Sequence, residues 1–317
     1  MHERLSCEWI EGGLAFAPRS AHACCVVHHE TCGWPLLFPY DGGPFDVGRF
    51  QQAKRALREA LAAGKAEQCR ECPLLTIRPA DETSPEFTLR KINLSHFTRC
   101  NLRCAYCYLQ KERIAAAWWN DDRDIQFGHH PLDLGPVFRQ FMESGFLSRQ
   151  AEIFWGGGEP TLMPGFEDLL LMLLEYGPWV TLTTNATIFN RTMAEASQPN
   201  LTIICSVDAG SRETYRHLKQ SDRYEAVWEN LAGYAEHGKT LVTKYILLPE
   251  NTIPSDIVTF LERSGRLGVH HVVFDVDAFQ PQLTGEMESC LTLARRHARE
   301  LGLEMDIAGC GAINLRD

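Results

Sequence analysis

From Phe87 onward the chain alternates short, β-rich apolar runs with amphipathic stretches of helical period, and this alternation restricts the fold more than any single residue does. Strands and helices that recur in turn bury their apolar faces together as a parallel sheet with helical crossovers, an α/β architecture. The pattern predicts strands over 88–94, 151–155, 179–184, 201–206, 241–247 and 269–276. Helices are predicted over 132–148, 164–176, 190–197, 221–237 and 253–266, followed by a last helix over 286–301 and a short strand over 303–307. At 317 residues the chain is long enough for one large α/β domain, residues 87–317, plus a small appendage.

Facing within the strands points to a wet interior. In an extended run side chains alternate between faces, so Ser206 and Asp208 share one face while Cys205 and Val207 take the other. Asp275 and Asp277 likewise lie opposite Val272, Phe274 and Val276. Helices would cover the apolar face, which turns the acids inward and makes Asp208, Asp275 and Asp277 candidate pocket residues. A fully packed eight-stranded barrel would be apolar there.

Residues 1–75 read differently, as a small cysteine-rich α+β domain joined by a linker at 76–86. They hold six of the 12 cysteines: Cys7, Cys24, Cys25, Cys32, Cys69 and Cys72. One helix, 48–63, stops at Gly64. Cys7, the pair Cys24-Cys25 after a hairpin with arms near 14–17 and 23–26, and Cys69-x2-Cys72 make a four-thiolate set. Adjacent cysteines in an extended strand face opposite ways, so one of Cys24 and Cys25 would ligate, and Cys32 could replace a member. Such a set suits either a [4Fe–4S] cluster or structural zinc.

Charge narrows the partners. Against 31 basic residues stand 41 acidic ones, for a net charge of −10, and no basic block is present, which argues against nucleic acid. The start of the sequence shows no apolar signal region, and the most apolar stretch, 169–174, is too short to span a bilayer. The expectation is a cytoplasmic protein without a membrane partner, where cysteines serve metal ligation more often than disulfides. Cys205 and Cys290 read as small buried hydrophobes and Cys310 as a free thiol. The pairs His28-His29, His129-His130 and His270-His271 read as ordinary histidines.

The sharpest chemical signal is Cys100, Cys104 and Cys107, spaced C-x3-C-x2-C with Tyr106 before the last. Three thiolates in one short loop can hold three corners of a cubane [4Fe–4S] cluster and leave the fourth iron open to a small molecule. A stable zinc site would want a fourth ligand. Downstream, Ile153-Phe-Trp-Gly-Gly-Gly-Glu-Pro-Thr161 is an apolar run that breaks into three glycines, an acid and a proline.

Together the two motifs resemble those of the radical S-adenosylmethionine (radical SAM) superfamily, and the resemblance covers about 87–276. It implies a partial (β/α)6 barrel, a [4Fe–4S] cluster on the three cysteines, and S-adenosylmethionine chelated to the open iron. The implied reaction is reductive cleavage to a 5′-deoxyadenosyl radical that abstracts hydrogen from a substrate, with an external electron donor such as flavodoxin or ferredoxin. Gly156, Gly157 and Gly158 would let backbone groups approach the methionine ammonium, and Glu159 would anchor the turn or offer a carboxylate to a cation. Tyr106 would pack near adenine, and Asn185 and Ser206 would contact ribose and methionine. Lys219 aligns with a cation that pairs with the cofactor carboxylate; the family more often has arginine there, and lysine lacks the bidentate fork. Residues 1–75 resemble the SPASM or twitch auxiliary-cluster domains, which usually follow the barrel rather than precede it. An auxiliary cluster favours a ribosomal peptide undergoing oxidation or crosslinking. A small molecule (sugar, nucleoside or lipid head group) is the alternative, and a non-catalytic iron–sulfur carrier or zinc-stabilised binding module a remote one.

Overall fold

The computed structural model describes residues 3–25, 34–79, 87–107, 109, 132–277 and 283–308. Cys32, Cys310, the pairs at 28–29 and 129–130, and most of the expected linker lie outside the described residues. The chain forms two compact units: residues 1–99 with 108–180, and residues 100–107 with 181–317.

In the first unit the strands are β1 (Glu3–Ser6), β2 (Gly13–Ala17), β3 (Ser20–His22), β4 (Leu36–Pro39), β5 (Thr76–Pro79), β6 (Leu89–Leu94) and β7 (Leu147–Trp155). Its helices are α1 (Glu8–Gly12), α2 (Val47–Ala62), α3 (Gly135–Glu143) and α4 (Phe166–Tyr176). The sheet runs β7-β6-β2-β3-β4, parallel through β2 and antiparallel beyond it, while β1 and β5 form a separate antiparallel pair. The hairpin of the cysteine-rich segment therefore extends the parallel sheet, with Gly13 opposite Lys91 and Phe16 opposite Leu94. Phe45 stands edge-on to Phe141 of α3 at 5.0 Å and lies 5.9 Å from Phe16. Gln140 of α3 accepts from the Phe45 backbone N–H (3.1 Å) and donates to its carbonyl (2.8 Å). Residues 1–75 and the first β/α crossover thus share one aromatic core, where burying a phenylalanine contributes about 1.5–3 kcal/mol.

Several boundaries differ from the sequence expectation, among them the start of β7, at Leu147 rather than 151. The helix predicted over 132–148 is only α3, because Ser144 and the left-handed Gly145 (φ 67°) end it and the chain turns at once into β7. The hairpin arm predicted over 23–26 lies earlier, at β3, after a tight turn with Arg19 at φ 54°, so Cys24 and Cys25 follow the strand rather than sit within it. Residues 76–79, expected as linker, pair with β1.

In the second unit β8 (Trp179–Thr184), β9 (Leu201–Ser206), β10 (Thr240–Leu247), β11 (His271–Val276) and β12 (Glu304–Ala308) lie in the order β12-β11-β10-β9-β8, with β9 to β12 parallel. The helices are α5 (Arg191–Glu195), α6 (Arg212–Lys219), α7 (Tyr224–Glu236), α8 (Pro254–Arg266) and α9 (Gly285–Glu300). Strand burial follows the expected alternation: Leu201, Ile203 and Cys205 are buried while Thr202, Ile204 and Ser206 are half-buried, and β11 repeats the pattern. Helix α6, which the sequence pattern did not single out, starts where the Ser211 hydroxyl accepts from the Thr214 N–H (3.2 Å). Cys205 and Cys290 are buried. Among the described residues no helix is long and apolar enough to cross a membrane.

Candidate active site and a second cysteine site

Cys100, Cys104 and Cys107 lie in the second unit on a loop with no regular structure; Cys100 is exposed and the other two are half-buried. Such a loop has few ladder hydrogen bonds, so side chains must fix it. Asn185, just after β8, donates to the Asn101 side-chain oxygen (2.8 Å) and toward the Cys100 sulfur (3.6 Å). Its own carbonyl oxygen accepts from the Thr187 N–H and hydroxyl (2.9 and 2.6 Å), and Asn101 donates back to Thr187 (2.8 Å). The Leu102 N–H points at the Cys100 sulfur (3.4 Å), and Ala105 N–H bonds to the Leu218 carbonyl at the end of α6 (2.8 Å).

Beneath this loop lies a sealed polar knot. Asp208 is 0 % exposed and Lys219 2 %. One Asp208 carboxylate oxygen accepts from both the Lys219 ammonium and the Tyr106 hydroxyl, and the other accepts from the Ile246 N–H (2.6 Å). Burial, reinforced by the Asp208 carboxylate, pushes the Tyr106 hydroxyl far up. Burial opposes the charge on Lys219, but Asp208 outweighs it and the ammonium pKa is raised. Burial also pushes the Cys104 thiol up, with Lys219 pulling the other way.

This arrangement corrects one expectation. Asp208 does not share an open face with Ser206, because β9 ends at Ser206 and Asp208 adopts left-handed φ (60°), which breaks the two-residue alternation. Lys219 and Tyr106, expected against the cofactor carboxylate and adenine, are both engaged by Asp208. Asp275 is half-buried and pairs with Lys244 at 2.6 Å; Lys244 lies in register with Ser206 on β9. Asp277, also half-buried, follows the end of β11.

The glycine turn belongs to the first unit. After β7, Gly156 N–H bonds to the Leu94 carbonyl (2.9 Å), Gly158 N–H to Phe97 (2.8 Å) and Glu159 N–H to Arg99 (2.8 Å). A Cβ on Gly157 (φ 94°) would sit 2.5 Å from the Phe97 carbonyl oxygen, and one on Gly158 2.2 Å from that of Arg99. Gly157 and Gly158 are thus required by the chain's own residues 95–99, whereas the position a Cβ would take on Gly156 meets no atom within 4 Å. Glu159, 1 % exposed, accepts from the Thr161 hydroxyl (2.7 Å) and N–H (3.3 Å). His96, which the sequence reading passed over, is buried with neither ring nitrogen bonded to a described residue, and burial lowers its pKa to about 3.

A second cysteine site occupies the same unit. Cys7, Cys24, Cys69 and Cys72 line one small cavity together with Trp9 and Leu57, while Cys25 packs against the adjoining apolar cluster. The Cys7 sulfur caps α1 by accepting from the Ile10 N–H (3.4 Å), and Cys69 closes a turn in which Cys72 N–H bonds to its carbonyl (3.2 Å). Burial pushes the Cys7 thiol up and that of Cys69 up to about 11. On α2 stands Lys54, 0 % exposed, donating to the Trp9 and Gly13 carbonyls; burial lowers its pKa to about 7 against the pull of Cys24, Cys7 and Glu11.

Among the described residues no three histidine, cysteine or acidic side chains converge around a point suited to a single metal ion. A cubane makes no such demand, since each of its cysteines binds a different iron. A loop with its sulfurs at or near the surface suits a cluster that must also meet a small molecule, and the open flank of Gly156 suits close approach of an extended cofactor.

The chain matches the radical SAM superfamily over residues 94–264. A GTP 3′,8-cyclase of Streptomyces coelicolor is 29% identical over 162 residues, 50% of this chain and 45% of the cyclase. The Fe-coproporphyrin III synthase of Methanosarcina barkeri is 26% identical over 184 residues, 56% of this chain and 42% of the synthase. The chain spans about half the length of these curated relatives. Streptococcus suis SuiB bound to its precursor peptide SuiA superposes with a TM-score of 0.52 at 14% identity, covering 82% of this chain and 62% of SuiB. The anSMEcpe structure with bound AdoMet gives 0.52 at 13% identity, covering 68% of this chain and 60% of that one. At such identities the likeness concerns the fold, an α/β partial barrel with a mostly parallel sheet. The matched segment contains the three loop cysteines and the whole glycine turn and takes in more than half of the residues: the chain belongs to the radical SAM superfamily.

Proposed function

We propose that Cys100, Cys104 and Cys107 hold the [4Fe–4S] cluster of this radical SAM enzyme and that the flank of Gly156 receives S-adenosylmethionine. The observation that carries this is the braced loop, with three thiols at or near its surface and Asn185 directed at Cys100. When bound, cluster and cofactor supply reductive cleavage of the sulfonium and abstraction of a hydrogen atom from substrate. The residues named here have other tasks. Asn185, Asn101 and Thr187 fix the loop, Asp208 ties Tyr106 and Lys219 beneath it, and Glu159 holds the glycine turn closed. Ser206, the Lys244–Asp275 pair and Asp277 are proposed to face the substrate.

We further propose that residues 1–75 supply an auxiliary [4Fe–4S] centre on Cys7, Cys24, Cys69 and Cys72, and that the substrate is a ribosomal peptide undergoing oxidation or crosslinking. A second redox centre gives a substrate radical somewhere to send its electron, and SuiB, similar in fold, is solved with a precursor peptide. A small-molecule substrate is the second reading, favoured by the cyclase and synthase relatives. An external donor such as flavodoxin or ferredoxin, in the cytoplasm, would deliver the first electron.

Anaerobically reconstituted, reduced protein is expected to yield 5′-deoxyadenosine, and the Cys100→Ala, Cys104→Ala, Cys107→Ala triple variant none. Product undiminished in the triple variant would overturn the assignment. Gly156→Val should bind iron at the parental level yet bind S-adenosylmethionine at least tenfold more weakly by calorimetry on oxidised protein. Incubation with candidate peptides from neighbouring reading frames, read by mass spectrometry, separates the two substrate readings.

A further inference from the structure

We infer that Lys54 is the built-in counter-charge of the amino-terminal cysteine site and sets the redox poise of the centre held there. The inference rests on the auxiliary-cluster reading above. A fully buried ammonium is costly unless an opposite charge compensates it. Lys54 has no carboxylate partner among the described ion pairs; its ammonium donates to two main-chain carbonyls, those of Trp9 and Gly13. Those carbonyls bracket the segment that Cys7 opens by capping α1. The nearest carboxylate, Glu11, is already committed to Arg58 (2.6 Å), Arg4 (3.2 Å) and the Ser6 hydroxyl. Glu11 is thus shared by two arginines, and the other groups near Lys54 that can turn negative are the cavity-lining thiols of Cys7, Cys24 and Cys69. A buried ammonium anchored on the carbonyl of the cavity-lining Trp9 favours an occupant of net negative charge, as four thiolates around an iron–sulfur cubane provide.

The consequence is electrostatic. An anionic cluster itself favours the protonated form of Lys54, adding an electron to it is easier beside that ammonium, and low-dielectric surroundings leave the effect little screened. Removing the charge should drive the reduction potential negative.

The test uses the full chain with Cys100, Cys104 and Cys107 replaced by alanine, so that any iron belongs to the second site. Its potential is titrated by electron paramagnetic resonance with and without Lys54→Met. The expected shift is at least tenfold in the one-electron equilibrium, 59 mV more negative. Lys54→Gln, which keeps a donor for the two carbonyls, should shift the same way and guards against failure of the methionine variant to fold; Lys54→Arg should restore the parental value. A lysine that merely pins α1 would lower stability in these variants and leave the potential unmoved, which overturns this inference alone. Absence of iron, or zinc in its place, in the triple variant overturns the auxiliary-cluster reading and this inference with it.

Discussion

The two cysteine sites are built on opposite principles. At the Cys100 loop the thiols lie at or near the surface, and the backbone is held by polar side chains: Asn185, Asn101 and Thr187 beside it, Asp208, Lys219 and Tyr106 below. At the amino-terminal site the four cavity-lining thiols are buried or half-buried beside Trp9, Ile10, Leu57 and Leu75, and a nearby buried lysine reaches main-chain carbonyls. A centre that must bind a cofactor and release it cannot be sealed, so its rigidity has to come from satisfied hydrogen-bond networks. A centre that only holds or passes an electron, as proposed for the amino-terminal site, can be walled with hydrocarbon and given its charge in advance. Position in the sequence is a poor guide to this division, since both sites use cysteines in short loops.

The comparison is most exposed to failure at Asp208. Removing one partner from a buried ion pair strands the other charge, which costs about 3–5 kcal/mol. Asp208→Ala should therefore lower the denaturant midpoint sharply and free the loop through Tyr106 and Lys219, with loss of iron at the three-cysteine site and retention at the other. Asp275→Ala, which breaks the more accessible pair with Lys244, should cost no more than about 1 kcal/mol. Equal effects from the two substitutions would remove the claim that a sealed network holds the active loop.

Much of this was legible in the sequence, and the failures have physical reasons. The α/β alternation, the strands 179–184 and 201–206, and the open and buried faces of β9 and β11 follow from periodicity alone. So do the cysteine and glycine motifs, because spacing carries their chemistry. Asp208 was misread because alternation holds only while the strand lasts, and one left-handed residue ends it. Gly157 and Gly158 resemble ligand-facing glycines in a sequence, yet the atoms that forbid their Cβ are carbonyls of residues 95–99, about 60 positions earlier. Lys54 sits in a helix with several other charged residues, Arg49, Arg55 and Glu59 of them exposed, so composition hides it; a lysine at a core-facing position of an amphipathic period was the available signal.

Acid should separate the two sites by a smaller margin. His22, on β3 two residues before Cys24, is buried with its ring between the Ser20 hydroxyl (2.8 Å) and the Trp34 carbonyl (3.3 Å), and burial lowers its pKa to about 4. The folded protein keeps this ring neutral while the unfolded chain takes up a proton near 6.5, so its stabilising contribution is complete above 6.5 and drains away as pH falls toward 4. The loss is on the order of 3 kcal/mol. Thermal melts of metal-free protein between pH 7 and 4 should show this slope, which the buried His96 shares, and His22→Gln should reduce it by roughly half. A slope unchanged in the variant would place the acid sensitivity elsewhere.

The smallest effect belongs to Asn185, and it tests whether bracing at the Cys100 loop also tunes its chemistry. Hydrogen bonds to cluster sulfurs make reduction easier by spreading the added charge, and Asn185 directs its amide toward the Cys100 sulfur at 3.6 Å while bonding Asn101 at 2.8 Å. Asn185→Ala deletes both, at a stability cost of about 1 kcal/mol. If Asn185 acts only as a brace, the variant should lose iron occupancy at the loop and keep the potential of whatever cluster remains. If the amide is also a donor to sulfur, occupancy falls little, the potential moves negative, and 5′-deoxyadenosine forms severalfold more slowly with a limiting reductant but at the parental rate with a strong one. We expect the second outcome, because Thr187 still bonds Asn101 in the variant and keeps part of the brace. Asp208→Ala, which leaves Asn185 in place, should give the reverse pattern of larger occupancy loss and a smaller shift in potential.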